Sequence, residues 1–529
     1  MAKHIHTGTD AHQQILQGAS LLSEAIKRTL GPRSGIVLLE RAAGLVPTKD
    51  GVTIARELQF DEPHLRLGSK LMADACLKVN EEVGDGTTTT ACLAYEMLAG
   101  SLKALAAGAE PRHLIEGFLQ AVEFACGSIE ELVVRADSKA ILRSVAWTAS
   151  NCDADIADTL SKALMTVGKE GEIIVEDGNT TGIEVEYREG MILNKGPVSP
   201  YQIDNEERIL EGALVAVVPK VLASFEDIQS IIEEATQFPQ NPLVIIADGI
   251  EGDALATILT NDFNLVVSDK VKQEIVGLAR IGTHLHRRGC MEDVAALAGA
   301  HVVDEVFNHR TFKSEWFGSV RKAVFHRHET VLTGYPDKKP FIEERLSQLR
   351  LERVATHSKY DKDKLQERIG KLTGGLCFVR VGGFTESEAK EKKARVEDAL
   401  GALSAAMEGG VVPGGGLSFL TAHEELESLG FQKGDFGQGQ RIVSKALGAP
   451  FRTIIQNAGV EPAGVLARLE EPRKEDAWAG WDANTEEIRD FGKDPLVLDP
   501  AKVNITALKA AASVVASLIS VNVTITQAK

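Results

Sequence analysis

Glu82-Val83-Gly84-Asp85-Gly86-Thr87-Thr88-Thr89-Thr90 places one carboxylate and a row of hydroxyls beside two glycines. Glycine lets a backbone approach an anion closely, and the threonines open a helix whose free amides and positive dipole end attract negative charge. Asp85 is then free to hold magnesium, a hard cation that takes oxygen ligands and keeps phosphate oxygens in its shell. Alone, the stretch reads equally well as a Thr-rich helix start behind a glycine turn. Its flanks narrow the choice. Apolar Ile15, Ala19, Leu22, Ala25, Ile26 and Leu30 recur at helical spacing over 10–30 until Gly31-Pro32 stops them. A short strand follows at 36–40. Further helices are predicted over 57–82 and 87–107, one on each side of the Gly-Asp-Gly turn. No strand leads into the turn and GxxxxGK[ST] is absent from the chain, so this is not a P-loop.

At 529 residues the chain is too long for one core and calls for about three domains. Its 76 acidic against 58 basic residues give a formal net charge of -18, which repels nucleic acid and anionic membrane. Neither is expected as a partner. Six scattered cysteines form no CxxC pair and read as reduced thiols. Met1 to His6 contains no apolar signal run, so a cytoplasmic location is expected. The apolar segment 507–523 is interrupted by Lys509, Asn522 and several serines, and reads as a core helix running into a strand.

Between about 190 and 375 short strand-like runs at 214–218, 243–247 and 265–268 alternate with helical stretches, the pattern of an α/β domain. Gly190 and Gly374-Gly375 bound it as hinges. Thr385 and Glu388 have capping-box spacing and open a helix that runs to Met407, with Val396, Leu400, Leu403 and Met407 on its apolar face. Gly409-Gly410-Val411-Val412-Pro413-Gly414-Gly415-Gly416 then breaks it. The HxH pairs His4/His6, His284/His286 and His326/His328 lack a carboxylate cluster and read as surface histidines.

Thr29-Leu30-Gly31-Pro32, Thr48-Lys49-Asp50-Gly51-Val52, Gly84-Asp85-Gly86-Thr87-Thr88-Thr89, Val167-Gly168-Lys169-Glu170-Gly171, Lys392-Lys393-Ala394-Arg395-Val396-Glu397-Asp398-Ala399-Leu400 and Gly410-Val411-Val412-Pro413-Gly414-Gly415-Gly416 stand in the order and spacing of the GroEL-type group I chaperonins. The chain resembles that family over essentially its whole length. The resemblance implies a multidomain α and α/β fold: a mainly helical equatorial domain from 1–133 and 410–529, a small α+β intermediate domain from 134–189 and 376–409, and an α/β apical domain at 190–375. It further implies homo-oligomeric heptameric rings stacked back to back, a GroES-type lid co-chaperonin and unfolded client proteins. Arg452 and Glu461 fall where the family makes contacts between rings. Lys195 and Glu386 resemble its ion pair between neighbouring subunits.

For the site, the resemblance implies a chaperonin ATPase that uses ATP and Mg2+. Thr29, Leu30, Gly31, Pro32 and Lys49 would lie along the nucleotide, Gly86, Thr87, Thr88 and Thr89 would cradle its phosphates, and Asp85 would hold the metal. Gly415 would let the backbone approach the adenosine end. Asp482, Ala483 and Asn484 align with the base-contacting stretch and Asp499 with the ribose-contacting acid, although Asp482 stands where Asn is usual. Phosphoryl transfer is catalysed mainly by positioning and charge neutralisation. Asp398, just before a hinge, would swing over the phosphate, and Asp50 would orient the water or the metal shell.

In the family, the apical face that meets clients and the lid is apolar. Tyr201, Leu255 and Leu259 keep that character, with Ile228, Ile231 and Ile232 expected to supply a helix face. Pro197, Gln202 and Thr260 occupy positions that are usually apolar. The resemblance therefore implies an ATP-dependent chaperonin that captures unfolded proteins and encloses them for folding. The alternatives are a specialised paralogue with a narrow client range or altered lid dependence, and a non-catalytic ring scaffold.

Overall fold

The computed structural model describes residues 3–41, 44–168, 171–203, 207–263, 274–282, 286–303, 311–356, 358–373, 375–493 and 496–527. The chain divides into two compact units, one of Met1–Met165, Val175–Glu184 and Val379–Lys529, the other of Thr166–Ile174 and Val185–Phe378. This division is coarser than three domains. The expected apical segment lies in the second unit, and most of the expected intermediate segments group with the first. The expected strand 265–268, Lys169, Glu170, Gly374 and His284 fall outside the described residues.

The first unit is a helical body built around a large core, with smaller clusters beside it. Helices Thr9–Lys27, Pro63–Val83, Thr87–Ala106, Pro111–Glu131, Leu417–Leu429, Gly434–Leu447 and Ala501–Ile519 contribute Ile15, Leu22, Met72, Met97, Phe118, Phe419, Val443 and Leu508 to it. The last of these helices is long and apolar enough to cross a membrane, yet Ala507, Leu508, Ala511 and Val515 are buried in that core. It runs into strand Val523–Gln527, which pairs antiparallel with Lys3–Thr7, so both chain ends meet in one ribbon.

Two boundaries differ from expectation for local reasons. The predicted helix 57–82 starts later, as Pro63–Val83, and a short helix that was not anticipated, Gly51–Glu57, ends where the prediction began. Asp50 starts the short helix by accepting from the amides of Val52 and Thr53, and Pro63 begins the longer one, where its missing N–H costs nothing. The strand at 36–40 is one arm of a hairpin, Val37–Arg41 with Gly44–Thr48. Pro47 and Gly44 hide the second arm from a propensity reading.

The second unit holds a six-stranded mixed sheet in the order Met191–Leu193, Thr330–Thr333, Gly318–His326, Glu207–Leu222, Leu243–Ile250, Ile275–Ala279. The last three strands run parallel to one another, and the remaining pairings are antiparallel. Two of its strands contain the predicted 214–218 and 243–247, while Ile275–Ala279 was not anticipated. Helices Phe225–Ala235 and Gly252–Phe263 bury Ile228, Ile231, Ala254 and Ile258 with Leu214, Ala216, Leu243 and Ile245 of the sheet.

Candidate functional site

The first unit contains a deep pocket whose wall includes every residue expected at the nucleotide site. Thr29, Leu30, Gly31, Pro32, Lys49, Asp50, Asp85, Gly86, Thr87, Thr88, Thr89, Asp398, Gly415, Asp482, Ala483, Asn484 and Asp499 all line it. The Gly-Asp-Gly turn connects helices Pro63–Val83 and Thr87–Ala106, with Gly84 at φ 74° and Gly86 at φ 92°, a region that disfavours side chains. A Cβ on Gly84 would lie 2.7 Å from the Cα of Gly401, in helix Glu386–Gly409. That glycine-to-glycine approach brings the helix carrying Asp398 against the turn carrying Asp85. The helix begins at Thr385, whose hydroxyl accepts from the amide of Glu388, while Glu388 Oε2 accepts from Phe384 N at 3.0 Å. The predicted cap is therefore present, with its return bond shifted by one residue.

The electrostatics follow from packing acids into a closed wall. Burial is the main reason that the Asp85 carboxyl is pushed up to about 6, and the charge of Asp50 raises it further, although the Gly86 amide at 2.5 Å opposes the shift. Asp398 is raised well above the usual carboxylate range by burial, then by Asp85 and Asp50. Asp499 is pushed up to about 7, first by burial and then by Asp85, against hydrogen bonds from the amides of Gly415 and Gly416 and from Asn504. Desolvated carboxylates that repel one another favour a positive counter-charge among them. Both oxygens of Asp50 already accept bonds from Val52, Thr53 and the Thr53 hydroxyl, so its first task is to cap a helix.

The residues present fit a magnesium ion that arrives with phosphate. Among the described residues no group of three or more His, Cys, Asp or Glu side chains forms an ion cage by itself. Magnesium is ordinarily bound through one or two carboxylates plus substrate phosphates, so a single Asp85 suffices. The buried Thr87 Oγ1 and Asn80 Oδ1, both in residues of the wall, have no hydrogen-bond partner within the protein. Buried polar atoms left in this state are costly unless a ligand or water meets them.

Several wall residues escaped the sequence reading: Asn80, Trp147, Asn151, Cys152, Arg395 and Asn504. Arg395 sat inside a quoted motif, and its ion pair with Asp153 at 2.9 Å is visible only in three dimensions. Asn504 occurs in an Asn-x-Thr triplet that suggests nothing catalytic, yet it is buried and donates to Ser418 Oγ at 3.0 Å. The unusual Asp482 is explained by Arg489, whose Nε donates to Oδ2 at 2.8 Å, while the amide of Asn484 donates to Oδ1 at 2.9 Å.

The expected client face in the second unit is not assembled as predicted. Ile228 and Ile231 are fully buried, and Ile232 and Leu255 pack partly against the same core. Leu259 is half-buried and Tyr201 is 77% exposed. The isoleucines mark the side of helix Phe225–Ala235 that covers the sheet, which is why they recur at helical spacing. Gln202 is a correction of the same kind. It is 1% exposed, and its amide donates to Ile275 O at 2.9 Å instead of facing solvent. Of the surface charges, Glu386 pairs with Lys390 within its own helix, and Arg452 donates to Lys445 O at 2.8 Å.

The crystal structure of the chaperonin gp146 from the bacteriophage EL 2 (Pseudomonas aeruginosa), determined in the presence of ATP-BeFx, matches this fold with a TM-score of 0.72. The match covers 99% of each chain at 22% sequence identity, a level that establishes a shared multidomain α and α/β architecture. The family model described as the TCP-1/cpn60 chaperonin family matches residues 22–529, and with the whole of the pocket inside that span the chain belongs to the TCP-1/cpn60 chaperonin family.

Proposed function

We propose that this chain is an ATP-driven protein-folding chaperonin of the GroEL type, working as a homo-oligomeric ring with a lid co-chaperonin. The observation that carries the proposal is the convergence on one pocket of residues from five of the six separated sequence motifs. In this reading the amides of Gly86, Thr87, Thr88 and Thr89 cradle the phosphates and Lys49 adds positive charge. Asp85 is the metal ligand, and the unsatisfied Thr87 hydroxyl is available to the same oxygen shell. Magnesium, when bound, supplies neutralisation of charge on the phosphate oxygens. Asp398 holds the attacking water and takes its proton. Its raised proton affinity suits a base that must work beside other carboxylates. The related phage chaperonin was crystallised with ATP-BeFx, which supports nucleotide as the ligand class.

A narrower client range is favoured by one feature of the second unit. The outward positions of helix Phe225–Ala235 include Glu226, Gln229 and Glu233, and those of Gly252–Phe263 include Asp253 and Thr260. Capture of apolar segments would then rest mainly on Tyr201 and on Phe225, 48% exposed at the start of helix Phe225–Ala235, with Leu255 and Leu259. Electron microscopy of the purified protein with and without ATP and a lid protein, alongside a magnesium-dependent ATPase assay, tests the whole reading. Rings that hydrolyse ATP support it. Rings without hydrolysis would leave a scaffold, and monomers that bind no nucleotide would overturn it.

A further inference from the structure

We infer that Arg473 is a positioning residue for the base end of the nucleotide pocket; the inference rests on the reading above that this pocket takes ATP. Arg473 lies in the last turn of helix Pro462–Glu475, directly after Pro472. Its side chain is 2% exposed. Burying a guanidinium is costly unless its donors find acceptors. Here Nε and Nη2 donate to the two carboxylate oxygens of Glu424 at 2.7 and 2.9 Å, and Nη2 also donates to Thr421 Oγ1 at 2.8 Å. Nη1 donates to the carbonyls of Ala477 at 3.1 Å and Ala479 at 3.0 Å. The Thr421 hydroxyl gives its own proton to Leu417 O, which leaves its oxygen free to accept. A guanidinium has five N–H donors, and all of them are used.

These bonds join the two segments that flank the base end. Thr421 and Glu424 belong to helix Leu417–Leu429, which starts directly after Gly415 and Gly416 and contributes Phe419 to the pocket wall. Ala477 and Ala479 lead into strand Ala479–Asp482, and Trp481, Asp482 and Ala483 stand in the same wall. Arg473 itself does not line the pocket. Among the described residues the strand pairs only with Glu487–Asp490, and a two-stranded ribbon is marginal without outside support. Its backbone also presses on the helix, since a Cβ on Gly480 would lie 2.5 Å from Leu417 Cδ1. The Arg473 clamp therefore sets the spacing between the Gly415 turn and the base-contacting stretch.

Contacts to the base act alike in the ground and transition states, so loosening them raises KM and leaves kcat in place. The test is steady-state ATP hydrolysis by the assembled protein carrying Arg473→Met, Arg473→Lys or Glu424→Gln. Inhibition by inorganic tripolyphosphate serves as a probe that has phosphates and no base. Arg473→Met is expected to raise KM for ATP about tenfold with kcat within about twofold, and to leave tripolyphosphate inhibition unchanged. Arg473→Lys does not restore KM, because an ammonium has three donors and no planar fork. Glu424→Gln gives an intermediate KM. An unchanged KM in Arg473→Met and Glu424→Gln overturns the inference. So does a parallel loss of kcat, KM and tripolyphosphate affinity, which would mark a general weakening of the fold. If Arg473→Met fails to assemble, Glu424→Gln decides, since Gln keeps one acceptor oxygen for the guanidinium on a side chain that is 45% exposed. A wild-type protein without ATP hydrolysis would instead remove the reading beneath the inference.

Discussion

The pocket of the first unit is built from glycine turns and buried acids, the expected client face of the second from apolar residues at helical spacing. In the pocket every expected residue lines one wall. On the client face, Ile228 and Ile231 turned inward and Gln202 is covered. The difference lies in the kind of signal. Glycines at positive φ, a helix N-terminus and acids placed between them meet requirements of backbone geometry, and those requirements travel with the motif. Apolar residues at helical spacing state only that one side of a helix is covered. They do not say by what. In Phe225–Ala235 the cover is the sheet, so the isoleucines belong to the core.

The largest effect that separates the two regions lies in the pocket. Asp398→Ala should still bind ATP yet hydrolyse it about 10² to 10⁴ times more slowly, as measured by phosphate release in a single turnover. Turnover at the wild-type rate would detach Asp398 from the chemistry and leave the pocket as a binding site. Asp85→Ala should lose magnesium-dependent nucleotide binding as well, read by titration with and without the ion.

A smaller effect is expected in the second unit, where Ile231→Ala should cost about 2 to 5 kcal/mol in urea unfolding, as for any large core truncation. Gln202→Phe should lose the bond to Ile275 O and overpack its site, costing about 1 to 3 kcal/mol. It should not improve capture of denatured proteins. A stable Gln202→Phe protein with stronger capture would show that this position reaches the surface after all and would return Gln202 to the client face.

The smallest effect concerns pH. Asp85 and Asp499 hold their protons in the folded protein up to about 6 and about 7, while a free aspartate releases its proton near 3.8. Between those values the folded state binds more protons than the unfolded one, so stability without nucleotide falls as pH rises through that window. Relative to Asp499→Asn, the melting temperature should drop by about 2 to 4 °C between about pH 5 and pH 8, followed by calorimetry. Parallel melting curves for the two proteins would exclude Asp499 from the response.

Local sequence determined the helices around Gly84-Asp85-Gly86, the cap at Thr385 and the core character of helix Ala501–Ile519, and the family's motifs pointed to part of the pocket wall. Each depends on neighbours within a few positions, or on a motif whose backbone geometry admits few alternatives. Tertiary structure alone decided the rest. It set Gly401 against Gly84, paired Arg489 with the unusual Asp482, and placed Arg473 between helix Leu417–Leu429 and strand Ala479–Asp482. It also turned Ile228, Ile231 and Gln202 toward the interior. The physical reason is that periodicity is a property of one segment, whereas burial and ion pairing are properties of two segments meeting. A chain encodes the second only through the fold as a whole.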